Sequence, residues 1–140
     1  MRLLSLAVSL VVTAGSALAQ SPEGIDWQLL AMDGVVVDSS VTATLRIETD
    51  GSVTGKAPCN DYGGKISSVL PEFTLGPVRA TRMACDKLAE ERAFFDTLAL
   101  MQRAAMDGER NLIMTGPDGR SMEFVLDRMN SLTTCKTCSD

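Results

Sequence analysis

Residues 56–66 read Lys56-Ala57-Pro58-Cys59-Asn60-Asp61-Tyr62-Gly63-Gly64-Lys65-Ile66, and within them fall the chain's only tyrosine, a cysteine, an Asn-Asp pair and two adjacent glycines. Asparagine and aspartate tolerate left-handed backbone and bond to their own turn, and glycine takes positive φ at no steric cost. The stretch therefore reads as a tight corner between two strands. Cys59 sits at that corner, placed to bridge to Cys85. In the chain-entropy account such a bridge stabilises the domain by about 3.5 kcal/mol, a large share of the roughly 5–15 kcal/mol of a whole domain.

Working outward from the corner, Val41 to Ile47 alternates, with Val41, Ala43, Leu45 and Ile47 on one face and Thr42, Thr44 and Arg46 on the other, the pattern of a half-buried strand. Asp50-Gly51 is a hairpin turn, and Val53 to Ala57 is its returning partner. Trp27 to Leu30 forms an earlier strand that ends at the turn Asp33-Gly34. Beyond the corner, Lys65–Val69 and Phe73–Leu75 read as short strands, separated by Pro71 and closed by Gly76-Pro77. From Lys87 to about Ala105 the period changes, with Leu88, Phe94, Phe95, Leu98 and Met101 on one side of a helix. Asp86 is its expected N-cap and Asp107-Gly108 its stop. Asn111–Met114, the turn Gly116–Gly119 and Ser121–Leu126 make a last hairpin. Short strands, one helix, then more strands describe an α+β domain on antiparallel sheet.

The chain opens with Arg2, an apolar run from Leu3 to Ala14 and an Ala17-Leu18-Ala19 site, which reads as a secretory signal peptide over residues 1–19. No cysteine sits at the cleavage point, so no lipid anchor is expected, and the mature chain shows no second long apolar segment to span a membrane. Residues 20–26 are a short lead-in, 27–127 the domain, and 128–140 a loosely ordered tail. The expected compartment is periplasmic or secreted, where disulfides persist. The disulfide candidates Cys59, Cys85, Cys135 and Cys138 allow three full pairings. Without Arg2 the charges stand at 12 basic against 18 acidic residues, about −6. With no basic block, a nucleic-acid partner is not expected.

The chain has no histidine, which excludes Ser-His-Asp and Cys-His nucleophilic systems and histidine-containing zinc sites. No Walker loop or GxGxxG is present to cradle a phosphate. Glu90 and Glu91, one turn after Asp86, read as a solvated helix start that favours negative charge. Cys135-Lys136-Thr137-Cys138 is a C-x-x-C, but redox pairs of this kind open a helix whose N-terminus activates the first thiol. Only Ser139 and Asp140 follow here, so a local or intermolecular disulfide is the expectation, with thiol redox or metal capture as the alternative. The methionines are scattered and read as core filling. Arg79 and Arg82, just before the helix start, read as salt-bridging partners of the many acids, with anion binding as the alternative.

Cys59-Asn60-x-Tyr62-x-Gly64, Thr81-Arg82-Met83-Ala84-Cys85 and Glu91-x-x-Phe94, together with Trp27-x-Leu29, Leu112 and Phe124, resemble the META (HslJ-like) domain family. Pro58 and Ile66 depart from its usual glycine and aromatic. The resemblance covers about Trp27 to Leu126 and implies a curved, barrel-like antiparallel sheet with one packed helix. It marks Trp27, Asn60, Tyr62, Gly64, Thr81 and Met83 as structural motif residues and supplies no catalytic, cofactor or metal residue. It also implies an envelope protein associated with stress. The expected function is therefore non-enzymatic binding of an envelope protein or small ligand. Insertion of the corner into a secreted hydrolase as an inhibitor is the remaining reading.

Overall fold

The computed structural model describes residues 20–130 and 133–139; the leader expected at residues 1–19 lies outside them. Its elements run β1 (Trp27–Met32), β2 (Val35–Val36), β3 (Thr44–Ile47), β4 (Ser52–Lys56), β5 (Asp61–Lys65), β6 (Arg79–Ala80), α1 (Leu88–Leu98), β7 (Arg103–Asp107), β8 (Asn111–Thr115) and β9 (Ser121–Val125). Neighbouring strands pair in the order β6-β5-β4-β3-β1-β9-β8-β7, with β2 on β1, and all these pairings are antiparallel. The domain is thus α+β: one curled antiparallel sheet with a single packed helix. The sheet curls without closing into a barrel.

Turn chemistry sets the strand order locally. Asp33 and Gly34 both have positive φ, 49° and 76°, as a two-residue turn matched to strand twist requires, and they return β1 to β2. Asp50 Oδ1 accepts the Ser52 N–H at 2.8 Å, fixing the tight turn from β3 to β4. The gap between the two halves of the curl is crossed by residues 66–75. Ile66 pairs with Leu75 and Glu72 with Arg103, while Phe73 N–H donates to Gln102 O and Ala104 N–H to Pro71 O, each at 2.7 Å.

Trp27, Leu29, Leu45, Ile47, Val53, Leu112, Met114, Met122 and Phe124 point into the curl and are buried, where they meet Phe73, Phe94, Leu98 and Met101. Burial of each large apolar side chain contributes about 1.5–3 kcal/mol. The buried stripe of α1 is Glu91, Phe94, Thr97 and Leu98, spaced so that one helix face meets the sheet.

Several expectations are corrected. Asp61–Lys65 is strand β5 rather than part of a corner, and the turn is confined to Pro58–Asn60. Neither Gly63 nor Gly64 has positive φ; Gly64 gives space, since a Cβ there would lie 3.2 Å from Leu75 Cδ1, while one on Gly63 would make only ordinary contact, 3.6 Å from Val53 O. The helix stops at Leu98, not near Ala105, because Arg103–Asp107 pairs along β8; a sheet-edge ladder outweighs the helical periodicity there. Its N-cap is Lys87, without a side-chain cap, and Asp107-Gly108 turns a hairpin instead of ending a helix. Of the segments 65–69 and 73–75, Lys65 ends β5 and the rest form no strand, only the isolated bridge Ile66–Leu75.

Candidate functional site

The motif residues converge on one carboxylate. Glu91 lies on the inner face of α1 and is 8% exposed, so the solvated helix start expected for it is corrected. Its Oε2 accepts the N–H groups of Cys59 at 2.9 Å and Asn60 at 2.8 Å, and its Oε1 accepts Asn60 Nδ2 at 2.8 Å. Burying such a group requires that its hydrogen-bonding capacity be met. The other side of Asn60 completes the arrangement: Oδ1 accepts Thr81 Oγ1 at 2.9 Å and Met83 N–H at 2.6 Å. Asn60 therefore ties the helix, the turn after β4 and the segment after β6 together. Cys59 and Cys85 are joined across the same junction with Cα atoms 5.9 Å apart.

Tyr62 carries the assembly into the core. Its hydroxyl donates to Thr44 O at 2.8 Å, and its ring meets Phe94 and Phe95 edge-on at 5.6 and 5.5 Å. Burial raises its hydroxyl pKa. Gly55, its partner across the ladder, makes room: a Cβ there would stand 2.1 Å from Thr44 O and 2.9 Å from the Tyr62 ring. Gly64 lets Leu75 and Val78 lie against β5. Trp27, opposite Leu45 on β3, is buried with Nε1 donating to Pro22 O at 2.9 Å. Thr81 and Met83 are exposed overall; Thr81's hydroxyl and Met83's backbone do the joining.

An open groove of about 440 Å³ lies between α1 and residues 75–80, lined by Leu75, Pro77, Val78, Phe95, Leu98 and Asp96 among others. One wall is the helix that Glu91 and Tyr62 hold to the sheet. The other is the segment that Gly64 seats. The motif thus sets the separation of the two walls. Val78 remains 37% exposed.

A second buried carboxylate, Glu123, gives no sign in the sequence. In β9 it sits between the core residues Met122 and Phe124, so alternation turns it to the outer face of the sheet, where it is nonetheless 0% exposed. The tail expected to be loosely held covers it. Lys136 N–H donates to both its oxygens at 2.7 and 2.9 Å, Thr137 N–H at 2.8 Å, Thr137 Oγ1 at 2.9 Å and Asn111 Nδ2 at 2.7 Å. Cys135 and Cys138 are joined to each other, Cα atoms 5.6 Å apart. Arg128 fastens the start of the tail, donating to the carbonyls of Val41 and Val37.

Nothing in either assembly offers an activated nucleophile. The four cysteines are paired in disulfides, and among the described residues no three His, Cys, Asp or Glu side chains gather into a metal-binding group. Arg79 and Arg82 are exposed, Arg79 beside the shallow surface at Gly63 and Gly64. Among the described residues no helix is long and apolar enough to cross a membrane.

The profile of the META domain matches residues 20–129. The chain belongs to the META domain family. This META domain is similar in fold to a protein from Burkholderia xenovorans solved by NMR, with 20% identity, 87% of this chain and 99% of that one covered, and a TM-score of 0.62. It is also similar to a DUF4847 family protein from Bacteroides vulgatus solved by crystallography, with 10% identity, 78% and 96% covered, and a TM-score of 0.57. At these identities the likeness shows the fold. No curated protein matches the chain.

Proposed function

We propose that this META domain is an exported, non-enzymatic binding domain of the cell envelope that takes an apolar ligand, or an apolar segment of a partner protein, into the groove between α1 and residues 75–80. The observation that carries this reading is that the motif residues are consumed in holding the two groove walls apart. Their polar atoms are already paired, so they act by positioning and not by reacting. Export is supported by the leader pattern at residues 1–19 and by two disulfides, which persist in oxidising compartments. A role in envelope stress follows from the family resemblance. Nucleic acid is a poor match to a mature charge near −6.

Thiol redox chemistry at Cys135 and Cys138 has no comparable support. The two sulfurs are joined to each other, and the N–H groups of the loop are directed at Glu123 instead of a sulfur.

The test is an NMR titration of the processed chain with 8-anilinonaphthalene-1-sulfonate as apolar probe. Shifts confined to residues 75–80 and the α1 face, weakened at least about tenfold by Val78→Glu, are expected; tenfold corresponds to about 1.4 kcal/mol. Shifts spread elsewhere, or turnover of a substrate abolished by one side-chain change, would overturn the reading.

A further inference from the structure

Glu123 is a buried carboxylate whose partners come mainly from a loop beyond β9. Lys136 N–H, Thr137 N–H and Thr137 Oγ1 all converge on it, and they belong to a loop whose ends are Cys135 and Cys138. Successive N–H groups pointing the same way form a concave anion seat, and in this loop the short disulfide ring constrains that shape. Thr137 O also lies close to Gly34, where a Cβ would stand 3.1 Å away, so the loop rests against the β1–β2 turn. The two sulfurs are in partly exposed residues, within reach of a reductant.

We propose that this arrangement is a redox-sensitive latch. In the oxidised form the Cys135–Cys138 ring presents its N–H groups to Glu123 and holds residues 133–139 on the outer face of the sheet. A dithiol reductant opens it by thiol–disulfide exchange. One reductant thiolate attacks a ring sulfur and breaks the S–S bond, giving a mixed disulfide and one protein thiolate that takes up a proton. The second reductant thiol, as thiolate, then displaces the other protein sulfur, which is protonated in turn. The protein gains two electrons and two protons, and the reductant leaves as its own disulfide. Without the ring, the four-residue loop samples many conformations, and ordering it on Glu123 carries a larger entropic cost. The strap lifts, and Glu123 and Asn111 return to water on the outer face of β8 and β9. The Cys59–Cys85 bridge cannot act this way, because the donors to Glu91 come from a turn anchored in the sheet at both ends.

Amide hydrogen exchange on the full processed chain tests this. The comparison is the oxidised protein against Cys135→Ser/Cys138→Ser, which keeps Cys59–Cys85 intact. Exchange at Lys136 and Thr137 is expected to rise by on the order of tenfold or more, with the amides of β4 and β5 unchanged. Equal protection of Lys136 and Thr137 in the two proteins would overturn the latch. Glu123→Gln with the ring closed removes the charge but not the size, and faster exchange at the same two amides is expected. Unaltered exchange there would show that the carboxylate does not hold the loop. If that variant fails to fold, the double serine variant alone decides.

Discussion

Two assemblies in this domain use the same parts to different ends. Each has a buried glutamate, a pair of backbone N–H donors from a cysteine-bearing loop, an asparagine side-chain amide on Oε1, and a disulfide. At Glu91 the loop lies between β4 and β5, and its disulfide spans 26 positions to reach the segment before α1. At Glu123 the loop lies beyond β9, outside the sheet, and its disulfide spans 3. The first joins distant parts of the sheet and helix, so it cannot let go without opening the core. The second shapes a strap that can leave while the sheet stays folded. Contact chemistry is shared; connectivity decides whether a carboxylate is a rivet or a catch.

The largest test of that contrast replaces each glutamate by alanine. Glu91→Ala strands the N–H groups of Cys59 and Asn60 and the Asn60 amide in a closed site, and should cost about 3–5 kcal/mol in chemical denaturation. Glu123→Ala should cost about 1–2 kcal/mol, because its donors regain water when the tail departs. Equal losses would break the comparison. Next come the disulfides. Replacing Cys59 and Cys85 together by alanine should lower stability by about 3.5 kcal/mol, against less than about 2 kcal/mol for Cys135 and Cys138, following loop length; denaturation midpoints at equal slope check both. Below these stands Gly55→Ala, where the added carbon meets the fixed carbonyl of Thr44. A loss of about 1–3 kcal/mol is expected, with the Tyr62 ring resonances moved.

The smallest effect involves neither glutamate and serves as a control. Arg120 Nε donates to both oxygens of Asp33 at 2.9 Å, and this hydrogen bond is the main cause holding the Asp33 carboxyl below its ordinary value of 3.8. A depressed folded value stabilises above the ordinary one, and the contribution fades as pH falls from there through the folded value. The pair is partly solvated, so Asp33→Asn should cost under about 1 kcal/mol at neutral pH, and the difference from the parent should vanish in an acid titration below that range.

Much of the first assembly was legible. Cys59, Asn60, Tyr62 and Gly64 stand close together, the turn formers Asp33-Gly34 and Asp50-Gly51 mark real hairpins, and the alternation from Val41 places the core face of β3 correctly. The glutamate at its centre was misread, since a Glu in the first turn of a helix looks the same whether it faces water or a buried turn. The end of α1 was missed because Leu98 and Met101 keep helical spacing while the ladder with β8 claims the residues after them. The groove was not visible at all, as its walls come from segments that touch only after the sheet has curled.

Glu123 is the clearest case of what local pattern omits. Its place in β9 follows from alternation, and alternation assigns it to water. Only the loop of Lys136 and Thr137, folding back onto the sheet, covers it. Local order of turns, strand faces and bend chemistry depends on neighbours within a few residues, so the amino-acid sequence by itself determined the α+β character and the family. Which carboxylates are buried, where the helix gives way to strand, and which loop each disulfide restrains depend on contacts between residues far apart in the chain, and those were decided by the tertiary structure alone.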